Sequence, residues 1–348
     1  RTQCNNNLKN ITLALQNYHD TYKTFPMGAS HAGPRPAPGP ATAKWGPSWQ
    51  YGILPFQEQR NIYDKIASTQ RAGATGTGQF GANAINTALG TGGVANNGPL
   101  NKLVPDYMRC PSSPIDLMAE QTGSILLPTY VGIMGGTDID PSTTLYPNTT
   151  WGRPNTNRIY TNRYSNMTLG PNGDTWLTNS GMLPINEHTN MAKCSDGTSN
   201  TMIVSEQSDW LRNTDPTNST KYHGDPGWNG PGGPSSPGVG TDLVGGWVSG
   251  CNEVNSMGAG PANFLLAAGA FNVTTVRYKP DFKQVMGGTP VPGCSEVNGL
   301  NNPLQSPHPG GILCAFVDGS VQFVAGTTDL AILLRIAIRD DGQNVKLD

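Results

Sequence analysis

The stretch Cys4-Asn5-Asn6-Asn7-Leu8-Lys9-Asn10-Ile11-Thr12-Leu13-Ala14-Leu15-Gln16-Asn17-Tyr18-His19-Asp20-Thr21-Tyr22-Lys23-Thr24-Phe25-Pro26 decides how the rest of the chain is read. Cys4, Leu8, Ile11, Leu15, Tyr18 and Tyr22 recur at intervals of four, three, four, three and four, which is one continuous face of an α-helix. Asn5, Asn6, Lys9, Asn10, Gln16, Asn17 and Asp20 fall between them and can face water. Pro26 sets the latest end of the helix, because the residue before a proline is pushed out of the α region. A helix with one apolar face needs a surface to cover, and a sheet within the same chain is the natural one.

Outward from this helix, residues 28–47 form a Gly/Pro/Ala-rich loop. A second apolar segment follows through Trp49, Tyr51, Ile53, Leu54 and Phe56 to Ile62 and Tyr63, predicting a short helix near 55–67. Residues 71–98 are low-complexity Gly, Ala, Thr and Asn, and their glycines lack the preceding strand of a dinucleotide fingerprint. From about 100 to 300 the pattern is short strand candidates between turn clusters: 124–127, 130–134, 201–205, 246–249 and 273–278. Near the C-terminus, Ile312 to Val324 predicts a β-hairpin with a two-residue Asp318-Gly319 turn. That register places Ile312, Cys314, Phe316, Val321 and Phe323 on one core face. A last helix over roughly 329–339, capped by Thr327 or Thr328, would bury Leu330, Leu333, Leu334 and Ala337.

Composition narrows the function. Charged residues make up 13% of the 348 and the net charge is −2, so no basic field exists to hold a nucleic-acid backbone or an anionic membrane surface. The most apolar run, Leu330 to Ile338, is too short to span a bilayer and contains Arg335. Glycine (44) and proline (29) fall short of a collagen-like or disordered composition, which leaves a folded body with long irregular loops. The chain opens at Arg1-Thr2-Gln3-Cys4 without an initiator methionine or signal peptide, which reads as a chain whose upstream part has been removed or not recorded.

Six cysteines occur at 4, 110, 194, 251, 294 and 314, with no CxxC pair among them, so zinc-ribbon and thioredoxin patterns fail. An even count in a polar, loop-rich chain suits disulfides in an oxidising compartment, with the pairing left open. Cys314 sits in an apolar run and also reads as a buried thiol.

Three clusters are candidates for chemistry. His308 and Asp318 resemble an acid–base or metal pair, but the intervening strand would hold them on the order of 20 Å apart. There Asp318-Gly319 supplies a turn, and His308-Pro309-Gly310-Gly311 shapes a loop. Asp196-Gly197-Thr198-Ser199-Asn200-Thr201 with Glu206 offers oxygens for calcium but lacks the loop of an EF-hand; a hydrogen-bonded turn entering a strand is the simpler reading. Asp138 and Asp140 are further calcium candidates, with a solvated turn as the default. No HExxH, GxSxG or P-loop occurs, and no enzyme signal rises above chance.

The segment from Cys4 through Asn17-Tyr18-His19-Asp20 to Phe25-Pro26 resembles a large set of planctomycete proteins. These begin with a prepilin-type cleavage and methylation segment and continue into a domain of unknown function. The resemblance continues in order through Ser48-Trp49, Leu54-Pro55 and Glu58-Gln59, then Cys110-Pro111-Ser112 and Tyr130-Val131-Gly132. It ends with Asp196 to Thr201 and Glu206, and with His308-Pro309-Gly310-Gly311 to Asp318-Gly319-Ser320-Val321, similar to the family's "H, nine residues, DG" element.

What the resemblance implies is an α+β, pilin-like fold. Residues 1–25 would be the lower part of a pilin-type helix, packed on an antiparallel sheet. Residues 26–348 would be a β-rich body with large β and loop insertions, closed by the hairpin 312–324 and the helix 329–339. It also implies a Cys4–Cys110 disulfide tying the helix to the body, with Cys251–Cys294 as a second pair. The expected function is an exported, extracellular or cell-surface pseudopilin-like subunit of a filament or coat, not an enzyme and without an organic cofactor. It would act through copies of itself or related pilin-like subunits that meet at Leu8, Ile11, Leu15, Tyr18 and Tyr22 and at the low-charge loops. The alternative is an extracellular solute- or glycan-binding module built on the loop tryptophans.

Overall fold

Helix α1 (Thr2–Tyr22) forms as its periodicity demands, with Cys4, Leu8, Ile11 and Leu15 no more than 2% exposed. It stops at Lys23, which turns left-handed (φ 61°) and donates its N–H to the His19 carbonyl. A computed structural model describes residues 1–31, 45–73, 102–118, 126–137, 178–209, 211–213, 221–222, 247–248, 250, 272–285, 301–343, 345 and 347. After α1 come β1 (Ala29–His31), β2 (Trp45–Ser48), α2 (Trp49–Gly52), a 3-10 turn at Leu54–Phe56 and α3 (Arg60–Gly73). Then follow β3 (Tyr130–Gly136), β4 (Met202–Glu206), β5 (Leu211–Asn213), β6 (Lys221–Tyr222), β7 (Val273–Val276) and β8 (Gln284–Val285). The hairpin β9 (Gly311–Phe316) and β10 (Val321–Ala325) and helix α4 (Leu330–Ala337) close the chain.

The architecture is mixed α+β. The principal sheet runs β10-β9-β4-β3-β7, antiparallel except for the parallel pair β3 and β7. Two small sheets, β1-β2 and β6-β5-β8, accompany it. Strands β3, β4 and β9 are buried along their whole length because both faces of the sheet are covered. On one face Leu313, Ala315, Val317, Tyr130, Met134 and Val204 pack in one core with Leu8, Ile11 and Leu15 of α1. On the other, Ile312, Cys314 and Phe316 meet Leu333, Leu334, Ile336 and Ala337 of α4. Each fully buried Leu or Ile on these faces contributes about 1.5–3 kcal/mol. Gly132 admits the Trp49 ring, since a Cβ there would lie 2.8 Å from the indole nitrogen.

Several local expectations change: β1 and β2 lie at the ends of the stretch read as a loop over 28–47, and the helix expected near 55–67 is a 3-10 turn followed by α3. The hairpin register is shifted by one: Val321 faces Ala315, Gln322 faces Cys314 and Phe323 faces Leu313. The amides of Val317 and Asp318 donate to the Thr201 and Thr198 carbonyls, so these residues are drawn toward the β4 side. The turn becomes the longer form closed by Gly319 N–H on the Phe316 carbonyl, with Gly319 at φ 91°. Phe323 therefore leaves the core and stands 39% exposed, with the Arg1 guanidinium 4.1 Å above its ring. Helix α4 is capped by Asp329, whose carboxylate accepts from Ala331 N–H at 2.7 Å, not by a threonine. Finally, Trp247 and Val248 form a turn, not the strand predicted over 246–249.

Candidate metal centre

Strands β4 and β9 are antiparallel neighbours, and their geometry assembles the site. Asp196 and Glu206 are ten positions apart, and so are His308 and Asp318. Running in opposite directions, the two segments meet at both ends. At one end the Asp196 loop receives the hairpin turn through Asp318 N–H to the Thr198 carbonyl. At the other, Glu206 closes β4 beside His308, which precedes β9. The first turn of α1 and the loop after Asp106–Met108 bring in Cys4 and Cys110.

The donor atoms of Cys4, Cys110, Glu206 and His308 all lie within 4.8 Å of one another. His308 Nε2 is 3.3 Å from Cys4 Sγ, 3.6 Å from Cys110 Sγ and 3.5 Å from Glu206 Oε1. All four residues are buried, the most exposed being His308 at 6%. Each is set by its surroundings. Cys110 N–H donates to Thr129 Oγ1 at 2.7 Å, and Asn7, one turn beyond Cys4, donates to the Arg109 carbonyl at 2.9 Å. Arg1 donates to the Pro309 carbonyl beside His308. Glu206 Oε2 accepts Leu313 N–H at 2.9 Å, while Oε1 finds no hydrogen-bond donor among the described residues.

Electrostatics work against free charge here. Burial pushes the Glu206 carboxyl up to about 7 and holds His308 below the usual imidazole range. The Cys4 thiol is lowered by its hydrogen bond with Cys110, which is raised in turn. Two thiols, an imidazole and a carboxylate oxygen converging in a dry interior form a donor set for a borderline cation. The same two sulfurs are also near enough to be considered for a disulfide; in the structure they are neighbouring thiols.

Among the residues singled out from sequence, Glu206, His308, Cys4 and Cys110 come together. Asp196 does not join them. Its carboxylate accepts Asp341 N–H at 2.7 Å and Gly342 N–H at 2.9 Å, so backbone donors occupy the oxygens that calcium would need. Gly197 (φ 99°) and Asn200, whose side chain donates to the Asp196 carbonyl, make that segment a hydrogen-bonded turn. Ser199 lies in the same turn. Asp318 caps its own hairpin by accepting from Ser320. Gly310 (φ 89°) turns the chain into β9, where Gly311 passes against the Val324 carbonyl. Cys314 and Cys194 are buried thiols beside Ser205 and Thr201. Asp138, Asp140, Cys251 and Cys294 lie outside the described residues. Leu8, Ile11 and Leu15 are turned inward against the chain's own sheet, so they offer no surface to a second copy.

Among these four donors the resemblance paired only Cys4 with Cys110, as a disulfide, and nothing in the sequence joined Glu206 or His308 to them. Cys4 and His308 are 304 positions apart, and no spacing rule spans that distance. The available signal was that four segments of one ordered resemblance each carried a thiol, carboxylate or imidazole.

Fold and site define an α+β protein whose N-terminal helix is laid on a sheet and whose four-donor centre is sealed from solvent. The chain belongs to the family described as "Protein of unknown function (DUF1559)", which matches residues 1–331. No curated protein and no solved structure matches it.

Proposed function

We propose that the chain is an exported, pilin-like structural subunit that acts at the cell surface by assembling with copies of itself or with related subunits. The observation that carries this reading is α1, a 21-residue amphipathic helix laid against one face of a largely antiparallel sheet. The resemblance of its sequence to planctomycete prepilin-processed proteins points the same way. With Leu8, Ile11 and Leu15 spent on the interior, the surface offered to a neighbour is the outward side of the helix. Leu13 stands there 56% exposed, and Tyr22 at the helix end is 58% exposed. Tyr22 continues into a ring cluster with Tyr18 and Phe56. A chain with 13% charged residues presents few like charges to oppose such contact.

The same geometry speaks against catalysis at the centre, since its four residues are at most 6% exposed. A glycan- or solute-binding role would draw on tryptophans, but the two whose side chains are described, Trp49 and Trp247, are core residues. Among the described residues no helix is long and apolar enough to cross a membrane.

Sedimentation velocity over a concentration series tests the reading. The wild type should associate, and Leu13→Asp with Tyr22→Asp should weaken association by at least about tenfold while leaving the far-UV spectrum unchanged. Monomers at every concentration for both proteins, or equal association of both, would remove α1 from any assembly surface.

A further inference from the structure

We propose that Cys4, Cys110, Glu206 and His308 are the four ligands of a structural zinc ion that fastens the first turn of α1 to the sheet. The inference rests on the geometry of the cluster and stands independently of the assembly reading.

The distances carry it. Zinc holds thiolate sulfur at about 2.3 Å and imidazole nitrogen or carboxylate oxygen at about 2.0–2.2 Å, so the edges of its tetrahedron are about 3.3–3.8 Å. Three separations at this site fall on those edges: 3.3 Å from His308 Nε2 to Cys4 Sγ, 3.6 Å to Cys110 Sγ and 3.5 Å to Glu206 Oε1. Sulfur with imidazole and a single carboxylate oxygen is a zinc donor set; calcium and magnesium take oxygen throughout.

The second observation is Glu206 itself. Its side chain is fully buried, one oxygen is held by Leu313 N–H, and the other points into the cluster without a donor. A buried carboxylate oxygen left unpaired is costly, and a cation at the centre satisfies it. A Cys4–Cys110 disulfide would bring the sulfurs to about 2.05 Å and leave that oxygen as it is. A bound cation uses all four groups at once, the second carboxylate oxygen included.

Binding releases both thiol protons to solvent, together with any proton on Glu206, and moves no electrons. Four protein donors complete the tetrahedron, which is the closed arrangement of a structural ion. The supporting bonds fit that role: Thr129 holds the Cys110 backbone, Asn7 holds Arg109, and Leu313 orients the carboxylate.

The decisive experiment is elemental analysis of the chain purified without a metal-affinity step, with non-reducing peptide mapping and cobalt(II) substitution of the same material. One zinc per chain is expected, with unlinked Cys4 and Cys110 peptides. The cobalt form should show the intense visible bands of a tetrahedral ion and thiolate-to-cobalt charge transfer in the near ultraviolet. Cys110→Ser and Glu206→Gln should lower zinc affinity at least about 100-fold. Cys194→Ser, a buried thiol outside the cluster, should keep the metal. If the ligand variants fail to fold, the cobalt spectrum of the wild type decides alone. A metal-free native chain that takes up no cobalt, or a Cys4–Cys110 disulfide in that material, would overturn the proposal. A metal-loaded protein that stays monomeric would leave it intact and count only against assembly.

Discussion

Asp341 shows how one side chain's surroundings set its contribution. Its carboxyl is pushed up to about 6 by burial and by the Asp196 carboxylate beside it, which is itself tied to the Asp341 and Gly342 amides. The ordinary value is 3.8, so the folded chain holds this proton more tightly than the unfolded one. The contribution of Asp341 is therefore most favourable below about pH 4 and is lost as pH rises through about 6. Asp341→Asn, which keeps an oxygen for Gln343 N–H, should raise the melting temperature at pH 7 and match the wild type near pH 3.5. Melting curves across that range check this, and a constant difference at all pH values would assign the effect to packing. Single residues were the hardest scale to read from sequence. At Asp196 the simpler reading, a hydrogen-bonded turn, is what forms and calcium was the lesser one; nothing local indicated that residues 341–342, some 145 positions later, would supply its partners. Glu206 looked like the end of that same motif, and its buried, donor-less oxygen is visible only in three dimensions.

At the scale of elements the sequence was far more legible. Helix α1, strands β3, β4 and β7, and the closing hairpin and helix follow from periodicity and turn residues, because those signals are local. What failed was register. Asp318-Gly319 suits a two-residue turn, but the amides of Val317 and Asp318 are claimed by the Thr201 and Thr198 carbonyls. A tertiary demand from the β4 side lengthened the loop and moved Phe323 to the surface. The seat of α4 on β3 gives a test at this scale. At Gly136 a Cβ would lie 2.8 Å from the Leu334 carbonyl oxygen, a backbone atom that yields only if the helix shifts. Gly136→Ala should destabilise by about 1–3 kcal/mol in urea unfolding, through displacement of α4. A neutral outcome would mean that α4 is not seated on the sheet as closely as the structure has it.

Over the whole molecule, β4 and β9 act as two equal arms that carry chemistry to opposite ends of the sheet. The interval of nine residues between His308 and Asp318, which invites a catalytic reading, is the length of one such arm. It puts His308 into the buried centre and Asp318 into a turn. That centre joins the first helical turn to residues more than 300 positions away, so the N-terminal helix belongs to the body of the protein. This is the property a subunit needs if α1 is to transmit contacts between copies. The central claim, that the chain works by assembly, is tested most directly by negative-stain electron microscopy of native surface material, with the intact mass measured alongside. The account predicts ordered filaments or sheets composed of this chain. Dispersed monomers of the same mass, under conditions that preserve the native surface, would contradict it.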